Sequence, residues 1–318
     1  MANCDSLFRE FNGNLQVPKT KRTAMTTSKM NLRKMIKDHF SSNHPAYSPT
    51  FWTQGSSKTK NMIRTKDDTC DLDDGIYFKD NPDKVTGTTL QRWVKEAVDG
   101  ITAATPSHRK KCITVDFRAG YNIDLPIFLF DEATDKHPRL AVKDEDFKTD
   151  DPKEFITEFN RVKDAGGQLI RITRYLKSWC DYRRHEMPRG LAMTVLAMNH
   201  TYENDRDDVA LKYILISIES ELKREFKCIM PTTPNDDLFE NYDPEKKRNF
   251  MNHLASFIED AKQAVDSEKN ELKASRLWQK NFGRIYFPNG EDKDEEETRA
   301  GSLNNVIGNA KPYRSGQL

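Results

Sequence analysis

The sequence predicts an α+β protein: a mixed strand-and-helix half over residues 29–145, then an all-helical half over residues 146–288. Two observations predict it. Short runs with period-two alternation, the spacing of strands, cluster before residue 131 and enclose one amphipathic helix. Beyond about residue 145 the apolar residues recur only at helical spacing. A cleft between two such units is a common ligand site.

The first 28 residues are polar and mixed, without a clear period, and read as a loosely packed, flexible arm. Ser28 suits the N-cap of a helix over 29–42, in which Met30, Leu32, Met35, Ile36 and Phe40 fall near helical spacing. Asn43-His44-Pro45 ends it, because the residue before a proline disfavours the helical region. Phe51 to Gln54, Leu72 to Phe78, Cys112 to Arg118 and Tyr121 to Phe130 read as strands, with a hairpin turn at Ala119-Gly120. Between them, Leu90, Trp93, Val94, Ala97, Val98 and Ile101 make one apolar face of a helix over 88–104. Asp150-Asp151-Pro152-Lys153 starts the helical half, with proline near the first turn. Phe155 to Trp179 follow at helical spacing, then runs over 189–199, 207–226, 246–270 and 271–286. Residues 289–318, acidic and then rich in Gly, Asn and Ser, read as a flexible tail.

Composition narrows the function. The 318 residues suggest about two domains. A net charge of +1 gives no global basic excess, so no nucleic-acid partner is required. No apolar run approaches a membrane span, and the start, MANCDSLFREFNG, lacks the apolar core of a secretory signal. The five scattered cysteines (Cys4, Cys70, Cys112, Cys180, Cys228) form no CxxC pair, which points to a reducing cytoplasm and away from zinc.

The stretch from Phe51 to Phe78 carries the chemistry. On a strand, Asp71 and Asp73 point to the same face. Two adjacent carboxylates repel unless a cation lies between them, and a hard ion such as Mg²⁺ suits such oxygens. Asp124 is a third carboxylate, in an otherwise apolar strand, and a buried charge there needs a partner. Together the three suit two metal ions that assist phosphoryl transfer. The alternatives are a solvated pair and a satisfied core carboxylate. Gly55-Ser56-Ser57 is either an ordinary turn or a place where backbone N–H groups and hydroxyls meet phosphate. Lys58, Lys60, Arg64 and Lys66 in the connector either cover phosphates or solvate a loop.

The order G-S, D-x-D, then a later Asp resembles the polymerase-β-like nucleotidyltransferases. The segments Pro49-Thr50-Phe51-Trp52-Thr53-Gln54-Gly55-Ser56, Asp71-Leu72-Asp73-Asp74-Gly75-Ile76-Tyr77 and Tyr121-Asn122-Ile123-Asp124-Leu125-Pro126 narrow this. They resemble the cGAS/DncV-like nucleotidyltransferases (CD-NTases), close to the bacterial cyclic GMP-AMP synthases. Asp151-Pro152-Lys153, Arg174 to Trp179 and Asn281-Phe282-Gly283 extend the resemblance.

The resemblance implies a polymerase-β-like core, a mixed sheet with flanking helices, plus a C-terminal helical domain, with the active site in the cleft between them. It implies two Mg²⁺ ions, with Mn²⁺ as an alternative, held by Asp71, Asp73 and Asp124. Gln54, Gly55 and Ser56 would then grip the triphosphate, and Lys177 would reach it across the cleft; a solvent-facing helix lysine is the other reading of Lys177. The implied substrates are ATP, GTP or other NTPs. The implied product is a cyclic oligonucleotide, a purine dinucleotide such as cyclic GMP-AMP above all. It would act on a separate effector in bacterial anti-phage signalling, the synthase itself being a monomer. The resemblance also raises regulatory or conjugation partners at the C-terminus. Met187-Pro188-Arg189-Gly190 departs from the proline-serine pair of many relatives, so Arg189 either replaces a phosphate contact or that contact is absent. The rival readings are an RNA- or protein-modifying nucleotidyltransferase and a non-catalytic nucleotide-binding protein.

Overall fold

A computed structural model describes residues 1–294. Its centre is β2 (Cys70–Phe78), in an eight-stranded sheet. Strand β1 (Thr50–Gln54) pairs antiparallel with β2. On the opposite edge β2 pairs in parallel, first with β5 (Tyr121–Leu125) and then with β6 (Ile127–Leu129). Pro126 splits what reads in sequence as one strand, since it has no N–H for the ladder. Register nevertheless carries through: Cys70 faces Tyr121 and Ile76 faces Ile127. The Pro126 carbonyl bridges the break by accepting from the Ile76 N–H at 2.9 Å. Strands β3 (Ser107–His108) and β4 (Ile113–Phe117) extend the sheet beyond β5, and β7 (Arg139–Leu140) and β8 (Lys148–Thr149) beyond β6. The hairpin turn at Ala119-Gly120 joins β4 to β5, with Gly120 at φ +75.

Two helices cover one face of the sheet. Helix α2 (Lys19–Asn43) supplies Leu32, Ile36 and Phe40, and α4 (Gly87–Val98) supplies Leu90, Val94 and Val98. They meet Ile76, Phe78, Ile123 and Leu125 in one core. Helix α4 stops at Val98, short of the expected residue 104, because Asp99 is extended and Gly100 is left-handed at φ +80. One turn, α3 (Gly55–Lys58), follows β1.

The second half is helical: α5 (Pro152–Val162), α6 (Gln168–Arg183), α7 (Gly190–Asn199), α8 (Asp207–Arg224), α9 (Pro244–Lys262) and α10 (Glu271–Phe282). A five-residue π turn, Gln263–Ser267, ends α9. The continuous spacing from Phe155 to Trp179 is broken at Gly166-Gly167, with Gly167 at φ +68, so α5 and α6 turn apart.

The loosely packed arm expected over residues 1–28 is corrected. Residues Asp5–Asn14 form α1, and α2 begins at Lys19 rather than at residue 29. Helix α1 completes the helical core instead of trailing from the other half. Phe8 and Phe11 are fully buried against Tyr175, Trp278, Phe282 and Phe287. Polar bonds lock it in place: the Cys4 N–H donates to Asp208 at 3.1 Å, and the Asp207 N–H donates to Asp5 at 2.7 Å. Asp207 itself is fully buried and accepts from Arg171, Gln168 and the Tyr175 hydroxyl. Of the expected tail, residues 289–294 pack on α10, where the Glu271 and Leu272 N–H groups donate to Lys293 and Glu291 carbonyls. The rest of that expectation, 295–318, lies outside the described residues.

Two outcomes test this packing. Phe8→Ala removes a fully buried aromatic and lowers unfolding free energy by about 3–5 kcal/mol, read by urea titration; a loose arm would lose almost nothing. Burial pushes the Asp207 carboxyl up, but the hydrogen bonds from Arg171 and Gln168 outweigh it and hold it below the usual carboxylate value. Its stabilising contribution is therefore complete above about pH 4 and is lost as pH falls below that. Asp207→Asn flattens this acid limb of stability, followed as the urea midpoint against pH.

Candidate active site

The strand register assembles the acidic centre. Asp73 on β2 lies opposite Gln54 of β1 on one side and opposite Asp124 of β5 on the other. Asp71 precedes Asp73 by two residues and lies opposite Asn122. Their neighbours Leu72, Ile123 and Leu125 enter the core beneath the sheet, so alternation turns the three carboxylates to the other face. All three line one cleft of about 700 Å³ between the sheet and the helical half. Asp71 is exposed at its mouth, while Asp73 and Asp124 are half-buried.

The turn after β1 presses on this centre. Gly55 is left-handed at φ +62, and a Cβ there would sit 2.0 Å from the Asp73 Oδ2. Only glycine lets the turn close over the carboxylate. Ser56 follows, half-buried in the cleft wall, and its hydroxyl makes no hydrogen bond with another described residue. Gln54 is 7% exposed, and its Oε1 accepts from the Tyr77 hydroxyl at 3.2 Å. Its carboxamide packs over Gly75, where a Cβ would meet that same oxygen at 2.5 Å.

The facing wall comes from α6 and α7. Lys177 projects from α6 into the cleft, and its Nζ donates to Asn61 Oδ1 at 2.8 Å. Its aliphatic stem lies on Gly190, at the start of α7, 3.2 Å from where a Cβ would stand. A larger residue after Arg189 would push the lysine aside.

The electrostatics combine burial with like charge set against like charge. Burial, then Asp124 and Asp71, push the Asp73 carboxyl up to about 7, only partly offset by Lys177. Asp71 is raised by desolvation and by Asp124. Burial lowers Lys177 to about 7, against the pull of Asp73. Three converging carboxylates, an all-oxygen donor set in which Asp124 raises both Asp73 and Asp71, fit a hard divalent cation such as Mg²⁺. Asp71, Asp73 and Asp124 are the residues that would hold it.

Sequence reasoning missed the supports beneath. Asp74, fully buried on the opposite face of β2, is gripped by Arg33 of α2 at 2.5 and 2.7 Å and by the Thr53 hydroxyl at 2.8 Å. The second acid of the Asp73-Asp74 pair was the available signal. Thr114 on β4 donates to Asp124 at 2.5 Å. Of the basic connector, none of Lys58, Lys60, Arg64 and Lys66 lines the cleft. Lys58 lies over the Trp52 ring, and Arg64 pairs with Asp68 and covers Tyr286. Arg189, Arg184 and Lys111 do line it. A separate group, His137, Asp151 and Glu154, has ligand-type atoms within 4.8 Å of one another. It lies at the start of α5, where Asp151 caps the helix and the positive helix end opposes a cation.

Comparisons with known proteins agree with this geometry. Residues 49–128 match the family model "Cyclic GMP-AMP synthase DncV-like, nucleotidyltransferase domain", a span holding β1, the Gly55 turn and all three aspartates. A cyclic GMP-AMP synthase of Escherichia albertii is 26% identical over 190 residues. That match covers 54% of this chain and 42% of the relative, so the chain spans less than half the length of the curated relative it matches. Among solved structures, the Vibrio cholerae DncV cyclic AMP-GMP synthase superposes with a TM-score of 0.79 at 17% identity, covering 91% of this chain and 98% of that one. The same enzyme with a linear intermediate, pppA(3′,5′)pG, superposes with a TM-score of 0.76, covering 90% and 97% at 17% identity. The likeness covers both halves, so the expected polymerase-β-like core with its helical partner domain is the fold observed. Residues 49–128 thus match a DncV-like nucleotidyltransferase domain, and the chain shares the fold of the Vibrio cholerae DncV synthase across both halves.

Proposed function

We propose that this protein is a metal-dependent nucleotidyltransferase that joins NTPs into a cyclic oligonucleotide and releases pyrophosphate, cyclic GMP-AMP or a related purine dinucleotide being the foremost product. The observation that carries this reading is the register of Asp71, Asp73 and Asp124 beside Gly55-Ser56, with Lys177 opposite. A binding protein would have no reason to hold three like charges together at such cost. The net charge of +1 gives no support to a long RNA substrate. The name of the matched synthase and the linear intermediate in the neighbouring structure support cyclisation.

Phosphoryl transfer asks mainly for positioning and charge neutralisation. Two Mg²⁺ ions, or Mn²⁺ in their place, would neutralise the triphosphate and acidify the attacking ribose hydroxyl. The residues divide the remaining work. Asp124, held by Thr114, orients the hydroxyl of one NTP and takes its proton. The hydroxyl oxygen then bonds to the α-phosphorus of a second NTP, and the bond from that phosphorus to the leaving pyrophosphate oxygen breaks. Ser56 and the turn at Gly55 hold the triphosphate from the sheet side, and Lys177 meets its charge from α6. Gln54 fixes the end of β1 from which that turn springs. The linear product turns round and the same groups serve the second attack. In this reading the protein works in the bacterial cytoplasm, and its product signals phage infection to a separate effector. No described helix is long and apolar enough to cross a membrane. The C-terminal residues, where the resemblance raises conjugation, lie outside the described residues.

Purified protein incubated with all four NTPs and Mg²⁺ gives a phosphatase-resistant species by mass spectrometry. That species is absent with EDTA and absent in an Asp71→Asn/Asp73→Asn double variant. Products found only as linear tails on added RNA would replace cyclisation with RNA modification; nucleotide binding without turnover would make this a binding protein. Gly55→Ala displaces the turn from Asp73 and lowers the rate roughly a hundredfold, as misplacements of about 1 Å do, read as initial rate at saturating NTP.

A further inference from the structure

Asn61 has no assigned role, yet its surroundings are unusual. It is fully buried and lines the cleft. Its backbone N–H donates to the Ser56 carbonyl at 3.1 Å, closing a loop onto the phosphate-side turn. Its Oδ1 accepts twice, from the Thr59 hydroxyl at 2.9 Å and from the Lys177 ammonium at 2.8 Å. Its Nδ2 has no hydrogen-bond partner. A buried carboxamide whose acceptor is doubly used and whose donors are idle costs free energy unless something else takes those donors.

The backbone is bent to present it. Lys60, just before, is left-handed at φ +58, a conformation that costs a non-glycine residue energy. Arg174, three residues before Lys177 on α6, holds the Lys60 carbonyl at 2.5 Å and Asn12 of α1 at 2.6 Å. Asn61 is therefore where the sheet-side turn meets the helical half. It fixes the spacing between Ser56 and Lys177, two cleft groups carried on different halves.

We propose that Asn61 is a further residue of the nucleotide site: its carboxamide holds Lys177 against the Gly55–Ser56 turn and gives its unpaired N–H to an anionic oxygen of the bound triphosphate. This rests on the nucleotide reading of the cleft and deepens it. An amide N–H adds a directed donor beside the lysine's point charge, and a donor lost to a charged partner is a strong loss.

The experiment uses the full chain, Mg²⁺ and a non-hydrolysable ATP analogue, with affinity read by calorimetry for wild type, Asn61→Asp and Asn61→Thr. Asn61→Asp keeps the shape and the acceptor for Lys177 but removes the donor and adds a negative charge. Its affinity falls roughly ten- to a hundredfold, from a lost hydrogen bond to a charged group. Asn61→Thr supplies a hydroxyl donor and recovers part of that loss. In wild type, the Asn61 side-chain amide resonance, identified by its absence in Asn61→Asp, shifts on saturation with tripolyphosphate. An Asn61→Asp chain that binds as tightly as wild type overturns the proposal and leaves the nucleotide reading standing. So does an amide resonance that stays fixed when wild type is saturated, and this measurement needs no folded variant. A wild-type chain that binds neither the ATP analogue nor tripolyphosphate overturns both readings.

Discussion

Three carboxylates on adjacent strands repel, and the rest of the cleft is arranged around holding them close. Hydrogen-bonded strand pairing sets Asp73 beside Asp124, and the ladder tolerates no slip, because a shift by one residue would turn Leu72 and Ile123 out of the core. The apolar half of each strand thus holds the charged half in place. The strength of the constraint shows in Asp73, whose carboxyl keeps its proton up to about 7 through burial and its two acidic neighbours. Supports outside the cleft complete the frame. Arg33 neutralises Asp74 on the far face, and Thr114 fixes Asp124.

The same constraint explains the glycine at 55. A turn that approaches an aspartate to within 2.0 Å of its own missing Cβ leaves room for no side chain. Close approach brings Gly55 and Ser56 into the cleft wall beside the acidic centre. Gly190 plays a matching part across the cleft by making room for the stem of Lys177.

The cleft depends on two halves keeping their distance, and the contacts between them are polar and specific. One face of α6, carrying Arg174, Lys177 and Asp181, together with Arg184 just past its end, grips the connector that follows the Gly55 turn. These side chains reach the Lys60 carbonyl, the Asn61 carboxamide, the Lys66 N–H and Asp67 in order. The connector's polar sequence suits this work. Its backbone supplies two of the partners and its Asn61 and Asp67 side chains the other two. Helix α1 reinforces the joint, because Asn12 shares Arg174 and the Leu15 carbonyl accepts from Arg64.

By itself the sequence determined what depends on local order. A short aromatic run marked β1, period-two alternation marked β2, β4 and the β5–β6 run, and the 3.6 spacing marked the helices of the second half, because a strand or helix writes its burial into neighbouring residues. The pairing of Asp71 with Asp73 was legible for the same reason, and Asp124 stood out as a charge among apolar neighbours. Tertiary structure alone decided what depends on residues far apart in the chain. The first 28 residues showed no clear period, because α1 buries Phe8 and Phe11 on helices more than 150 positions away, and α2 buries one narrow stripe. The break between α5 and α6 was hidden because apolar spacing continues across Gly166-Gly167 while the backbone turns. Asn61 gave no signal, since an asparagine in a polar connector looks solvated. Its burial, and its place between Ser56 and Lys177, exist only once the two halves close.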